Sequence, residues 1–515
     1  MQRVLFLAAA TVFTLVVLLY IPTLRGGFVY DSIAQVLYSD YIHDPANWDD
    51  VLTLRVVGQD ELDRNRPLHL ASLMLDAAIW KKEPFGYRLT SVLLHALNAA
   101  LLFLFLTIAL RPRTTPVASP SPATAVLYSA VFGALLFALH PLVVEAVGEP
   151  SNREDLLVLL PMLLGLLAIA APIRSPWVLN AVLVLCSFSA VLAKESGIAV
   201  PFVFAVASWL FGRLRVCLVG LIGGVVAGGV FLAASYFLRP ELSDIFARAP
   251  MPLGPDVWTL LGTQSRIWAL QFWQILWPWN LSAHYSPEAL ADITLPLSIA
   301  IIGVATVLVG LLLRSNRLAL LGVAFYVLCL LPASNFAAQY HPIADRYLYV
   351  PLAGLGMIAA ALVHRLRIEY PRSFAGSALL AGLFLLLSLE YAANLRRQFV
   401  WQQPATLWSD VLRQYPNMSQ AQIGIANAHY RAGEFQAARS AATEAVVSSG
   451  GDWADAWALR AVSEWQTGDR EQALASFARA RSLSRVYANM DTIEKALIFS
   501  PEQLQVISEI ISSER

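Results

Sequence analysis

Apolar runs of about 17–24 residues recur along the chain up to about residue 391. As helix, each is long enough to cross about 30 Å of hydrocarbon. This is the feature that most limits the fold, because only helices and closed barrels satisfy their backbone polar groups in lipid. The runs lie near 4–22, 88–110, 124–141, 155–172, 177–193, 197–212, 216–238, 293–313, 318–333, 347–363 and 374–392. The first is read as a span rather than a cleaved leader, since it is long and lacks a small-x-small cleavage site. Composition agrees. Of 515 residues 57% are hydrophobic and 14% charged, where a soluble domain carries about 25% charged. A soluble enzyme, a disordered chain and a fibrous one are excluded. Lys+Arg and Asp+Glu both number 36, so no charge excess argues for nucleic-acid binding. The three cysteines, Cys186, Cys217 and Cys329, all sit in apolar runs and read as buried small hydrophobes.

Arginine placement sets an orientation. With the N-terminus inside, the cytoplasmic loops carry Arg111 and Arg113, Arg174, Arg213 and Arg215, Arg314 and Arg317, then Arg365, Arg367 and Arg372. Eleven spans place the C-terminus outside. Two outer loops are long, 23–87 and 239–292. In the first, Pro67 to Trp80 reads as an amphipathic helix with Leu68, Leu70, Leu73, Leu75 and Ile79 set against Asp76. The second, with Trp258, Trp268, Trp273, Trp277 and Trp279, suits a segment at the membrane interface. The membrane domain is drawn as 1–394 and a soluble helical domain as 395–515.

The soluble part contains a repeat. Ala421, Tyr430, Gly433, Ala438 and Ala445 match Ala456, Trp465, Gly468, Ala473 and Ala480 at an offset of 35 residues, close to the tetratricopeptide period of 34. Small residues allow paired helices to approach, and each glycine ends the first helix of its pair. Trp408 to Pro416 reads as part of a preceding unit, and helices near 486–497 and 501–513 as caps. Tyr430 and Trp465 are the candidate partner-binding residues. The expected fold is all-α: a polytopic membrane bundle followed by a helical solenoid.

Ionisable residues beside spans are costly and mark candidate sites. On the outer side stand Asp31, His140, Glu145, Arg153, Asp155, Lys194, Glu195, Asp345 and Arg346. Each also has a structural reading: Asp31 as a helix cap, Asp155 as a partner of the helix dipole, Lys194 and Glu195 as a snorkelling pair, and His140 as a helix-end residue. No HxH, HExxH or clustered carboxylate spacing gives a metal site, and no G-x-S-x-G, Walker A or Rossmann pattern is present. One carboxylate and several cations on one face suit deprotonation of a hydroxyl beside a bound lipid phosphate.

The chain resembles the transmembrane and tetratricopeptide-repeat O-mannosyltransferases within the polytopic C-type glycosyltransferases. The likeness is carried by 84–98 (Pro84-Phe85-Gly86-Tyr87-Arg88 through His95-Ala96-Leu97-Asn98), Arg66-Pro67-Leu68, Leu139-His140-Pro141 with Glu145-Ala146-Val147, Arg153-Glu154-Asp155, Lys194-Glu195-Ser196-Gly197 and Asp345-Arg346-Tyr347 through Pro351. The resemblance implies inverting transfer of one sugar, usually mannose, from a polyprenyl-phosphate donor to a protein hydroxyl. It assigns Asp31 as base, Arg346, Lys194 and Arg153 to the donor phosphate, and Glu145, Asp155, Glu195, His140, Arg66 and Asp345 to ordering the pocket. Two positions depart from the family pattern: Ser32 where a second acid is usual, and Val143 where a second histidine often follows. No cofactor is called for, and a divalent cation is left open. A bacterial inner-membrane protein with an undecaprenyl-type donor, and with site and solenoid facing the periplasm, is expected; the solenoid would present a protein acceptor. The alternatives are a membrane-anchored scaffold without catalysis and a ligase or oligosaccharyltransferase moving a whole lipid-linked glycan.

Overall fold

The computed structural model describes residues 2–59, 61–111, 121–238, 256–313, 316–336, 339, 341–369, 374–496 and 499–513. Arg113, Arg314 and Arg372 of the orientation argument, and 239–255 of the second outer loop, lie outside the described residues. Among the described residues all regular structure is helical.

One compact unit comprises Met1–Arg25, Tyr41–Leu281 and Leu290–Gln398. Its helices are α1 (Gln2–Leu19), α2 (Trp48–Leu52), α3 (Pro67–Trp80), α4 (Pro84–Ala109), α5 (Ser121–Leu139), α6 (Val144–Gly148), α7 (Glu154–Ala170), α8 (Pro176–Ala193), α9 (Val200–Leu210), α10 (Leu214–Phe237), α11 (Val257–Leu276), α12 (Leu295–Leu313), α13 (Arg317–Leu330), α14 (Tyr349–Glu369) and α15 (Phe374–Val400). Every apolar run of the sequence holds one of these helices. Among the described residues five helices are long and apolar enough to cross a membrane, or six if the pair joined at His140-Pro141 and bent by 53° is one span. The chain is therefore an integral, multi-pass membrane protein. The run at 197–212 yields only the 11-residue α9, about 16 Å at 1.5 Å per residue, because Lys194-Glu195 and a 3-10 turn take up its start.

Close helix approach explains the pattern of small residues. A Cβ on Gly322 (α13) would stand 2.6 Å from the Gly354 carbonyl oxygen (α14), and one on Gly356 (α14) 2.6 Å from that of Gly133 (α5). In lipid, where apolar burial gives little drive, such backbone contacts are a main source of association. A buried polar knot adds direction. The Tyr349 hydroxyl lies 2.9 Å from His95 Nδ1 and accepts from Asn98 Nδ2, whose amide also donates to the Leu156 carbonyl. The His95 and Asn98 positions of the family-like stretch thus tie α4 to α7 and α14.

Helix α3 occupies the expected residues, with Pro67 at its first turn where a missing N–H costs nothing. Its faces depart in part from expectation: Leu70 and Leu73 are buried as expected, but Asp76 is buried with them at 2% exposure, whereas Leu75 and Ile79 are 54% and 61% exposed. The cause is Arg153, whose guanidinium Nη2 stands 2.6 Å from Asp76 Oδ2. The buried face of the helix thus combines this ion pair with Leu70 and Leu73.

The second unit comprises Gly26–Asp40, Ser282–Ala289 and Phe399–Arg515. It contains α16 (Pro404–Gln414), α17 (Ser419–Arg431), α18 (Phe435–Ser448), α19 (Ala454–Gln466), α20 (Arg470–Leu483), α21 (Met490–Lys495) and α22 (Pro501–Ser513). Helix pairs α17–α18 and α19–α20 reproduce the 35-residue offset. Gly433 and Gly468 end the first helix of each at φ +78° and +91°, a backbone region open to glycine and strained for other residues. The repeated alanines Ala421, Ala438, Ala445, Ala456, Ala473 and Ala480 are fully buried. Tyr430 and Trp465, expected to meet a partner, are instead core residues at 5% and 8% exposure. Gln466 Nε2 donates to the Tyr430 hydroxyl, and Trp465 Nε1 donates to Glu509 of α22. Their large rings fill the space between hairpins that the alanines leave.

Candidate active site

In the first unit a cavity of about 170 Å³ is lined by Arg66, Asp155, Lys194, Glu195 and Tyr347, with apolar walls that include Met162, Val158 and Val350. Chain segments far apart in sequence deliver these groups. Arg66 stands at the N-terminal cap of α3, Asp155 in the first turn of α7, and Lys194 at the C-terminal cap of α8. Glu195 opens the 3-10 turn before α9, and Tyr347 lies in the turn before α14.

Charge pairing dominates the geometry. Lys194 Nζ donates to Asp155 Oδ1 and Oδ2 at 2.8 and 2.7 Å and lies 3.3 Å from Glu154 Oε1. Two carboxylates thus neutralise one ammonium. Lys194, expected to hold a phosphate, here pairs with Asp155 and Glu154. Arg66 Nε donates to Glu195 at 3.1 Å, and its Nη1 donates to Asp63 and to Glu154 at 2.9 and 3.1 Å. Asn65 Nδ2 donates to the other oxygen of Glu195. Burial lowers both cations, but the carboxylates beside them prevail: Asp155 and Glu154 hold Lys194 above its ordinary value, and Glu195, Glu154 and Asp63 raise Arg66 well above its own. Both stay charged at neutral pH.

Glu154 is the hub, with Oε1 shared between Arg66 and Lys194 and Oε2 3.8 Å from His69 Nε2. His69 is fully buried, and burial pushes its imidazole down to about 4, with Glu154 offsetting part of the effect. Sequence reasoning assigned no role to Glu154, His69 or Tyr347. A signal existed for each: Glu154 stands between two named residues, His69 follows Arg66 by three along α3, and Tyr347 follows Arg346.

Arg346 adjoins this group through Tyr347. Its guanidinium lies 5.3 Å from the Tyr347 ring centre and Lys194 Nζ 5.7 Å from the same centre. Glu145 holds Arg346 twice: Oε2 accepts from the Arg346 backbone N–H at 3.1 Å, and Oε1 accepts from its Nη1. Asp345 lies 3.6 Å from Arg397. Arg153 has a different place from the one expected of a phosphate ligand. It is fully buried, paired with Asp76, and donates to Ser91 Oγ, the Ser72 carbonyl and the Tyr87 carbonyl. It braces α3 and α4 rather than lining the cavity. His140 closes a turn: Nδ1 accepts from the Leu142 N–H at 3.3 Å, which leaves the proton on Nε2, 3.1 Å from the Ile275 carbonyl oxygen. Among the described residues no group of three or more His, Cys, Asp or Glu side chains gathers at metal-binding spacing.

Asp31 belongs to the second unit, half-buried in the turn after Tyr30. Ser32, where a second acid is usual, is fully buried; its Oγ donates to the Val29 carbonyl at 2.7 Å and accepts from the Val29 N–H at 3.1 Å. The hydroxyl closes the turn that displays Asp31.

No family model matches the chain. The chain is similar to protein O-mannosyl-transferases. One from Caenorhabditis elegans is 24% identical over 422 residues, covering 77% of this chain and 56% of its own. Two from Drosophila melanogaster are 25% and 27% identical over 304 and 308 residues, covering 53% and 55% of this chain and 34% and 30% of their own. The chain thus spans about half of the first relative and about a third of the others. Among solved structures, ArnT from Cupriavidus metallidurans bound to undecaprenyl phosphate aligns over 93% of this chain and 79% of its own, at 16% identity and a TM-score of 0.36.

Proposed function

We propose that the chain is a membrane glycosyltransferase moving one sugar, mannose or another monosaccharide, from a polyprenyl-phosphate donor to a protein hydroxyl. The observation that carries the reading is the cavity where Arg66, Asp155, Lys194 and Glu195 converge, built from the same motifs that carry the likeness to O-mannosyltransferases. Its volume is below the roughly 300–1,000 Å³ of drug-sized pockets. That favours a single sugar over a whole lipid-linked glycan.

In this reading Asp31, which enters through its motif, takes the proton of an acceptor Ser or Thr hydroxyl. The freed oxygen attacks the sugar's anomeric carbon from the face opposite the phosphate, the carbon–oxygen bond to phosphate breaks, and the lipid phosphate departs with the electron pair. The configuration inverts. Arg346, steadied by Glu145, meets the developing anion, since a fixed guanidinium pairs well with phosphate oxygens. In the cavity, the Asp155–Lys194 and Glu195–Arg66 pairs offer both acceptors and donors to hydroxyls of the sugar. The tetratricopeptide-like repeats present the protein acceptor. The arginine pattern supports the extracytoplasmic side for this chemistry, the periplasm if the membrane is a bacterial inner membrane.

The test is sugar transfer in membranes supplied with donor lipid. Asp31→Asn is expected to lower turnover by at least about 100-fold, the range of one general base, with the protein folded. Undiminished turnover would refute the role of Asp31.

A further inference from the structure

The segment that bears Asp31 is built into the repeat unit rather than into the bundle of spans. Gly26–Asp40 clusters with Phe399–Arg515, and the Gly27 N–H donates to the Gln402 carbonyl at 2.9 Å. Immediately before Asp31, Tyr30 has φ +50°. A bulky residue in the left-handed region is strained and persists only when its surroundings hold it there. The surroundings are specific. The Tyr30 ring lies 5.5 Å from that of Trp408 and 5.9 Å from that of Trp401, and its hydroxyl is 3.2 Å from His284 Nδ1. Trp401 is fully buried and Trp408 is 7% exposed. Trp408 in turn is set by the first repeat helix, since a Cβ on Gly424 of α17 would fall inside its indole.

We propose that Tyr30 is the positioning residue for Asp31, and that the first repeat fixes it through the chain Gly424–Trp408–Tyr30. The inference rests on the reading of Asp31 as the base. Its consequence is that the domain that presents the acceptor also sets the aim of the base. A change in how α17 packs reaches Asp31 through the Trp408 indole and its one ring contact with Tyr30, with the phosphate-facing residues untouched. The strained turn provides the sensitivity, because a left-handed Tyr30 has an ordinary conformation to relax into once its ring is released.

The experiment measures transfer kinetics of the full chain in liposomes against polyprenyl-phosphate mannose. The variants are Tyr30→Leu, Tyr30→Phe, Gly424→Ala, the double variant Gly424→Ala with Trp408→Phe, and Asp31→Asn. Misplacing a reacting group by about 1 Å costs up to about 100-fold. Tyr30→Leu and Gly424→Ala are therefore expected to lower kcat by about 10- to 100-fold with the donor KM unchanged, and the smaller ring of the double variant to restore much of it. Tyr30→Phe keeps the ring contacts and is expected to retain most of the wild-type kcat, and Tyr30→Leu, which leaves α17 unaltered, decides the matter if Gly424→Ala lowers the melting midpoint. Wild-type kcat in Tyr30→Leu and in folded Gly424→Ala, with Asp31→Asn inactive, would overturn the positioning role while leaving the base in place. An active Asp31→Asn would instead overturn the reading beneath it.

Discussion

Replacing Asp76 with alanine strands a guanidinium. Arg153 is fully buried, Asp76 is 2% exposed, and their charged atoms stand 2.6 Å apart. The remaining Arg153 donors reach Ser91 Oγ at 3.1 Å, the Ser72 carbonyl at 3.2 Å and the Tyr87 carbonyl at 2.7 Å. These neutral acceptors orient the charge without balancing it. Burial already pulls Arg153 below its ordinary value with Asp76 present, so little compensation would be left. Breaking a buried pair by removing one member costs about 3–5 kcal/mol, or roughly two to three and a half decades in an unfolding equilibrium at 1.4 kcal/mol per decade. The loss falls on α3, which loses its hold on α4 and on the turn ahead of α7. The assay is unfolding of the detergent-solubilised protein, followed by protease accessibility of residues 41–80. The double variant Asp76→Leu with Arg153→Met should recover most of the stability, because well-packed apolar residues commonly match a buried ion pair. Asp76→Ala with less than about 1 kcal/mol lost would refute the argument, since the pair would then be paired through water and not buried.

Protonation of His69 should destabilise the fold in acid: folded His69 stays neutral down to about 4 whereas the unfolded side chain binds a proton near 6.5. Stability therefore falls as pH drops through that window, by about 1.4 kcal/mol per unit, and melting midpoints of His69→Leu should lack this share of the slope. Lys194→Met would leave Asp155 without its ammonium, and transfer should drop by at least about 100-fold with helix content unchanged, read by circular dichroism beside the activity assay. Gly356→Val would push α14 away from α5, costing about 1–3 kcal/mol or more, measurable as a lower melting midpoint.

Much of the helical frame was legible because the helices carry local punctuation: proline at the first turn of α3, α4 and α8, arginines past several span ends, glycines at 433 and 468. The site was legible in part. Asp155, Lys194 and Glu195 stand beside span ends and Arg66 at the head of the outer-loop helix, and the four line one cavity. What escaped was whatever depends on a distant partner. The inward face of Asp76 follows from Arg153, in the turn ahead of α7, and no local periodicity encodes it. Tyr430 and Trp465 read as surface aromatics because their burial depends on Gln466 and Glu509 arriving from other helices. The grouping of 26–40 with the repeats rests on contacts to 282–289 and 399–408, separated from it by hundreds of residues. Glu154 was overlooked because its importance lies in whom it joins, not in where it stands.

Mass spectrometry of a Ser/Thr peptide incubated with the purified protein in liposomes bearing a polyprenyl-phosphate sugar tests the central claim most directly. The account predicts a mass increase of a single monosaccharide on the hydroxyl residue, absent with Asp31→Asn. A peptide left unmodified by the folded wild-type protein, or one carrying a whole oligosaccharide, would contradict it.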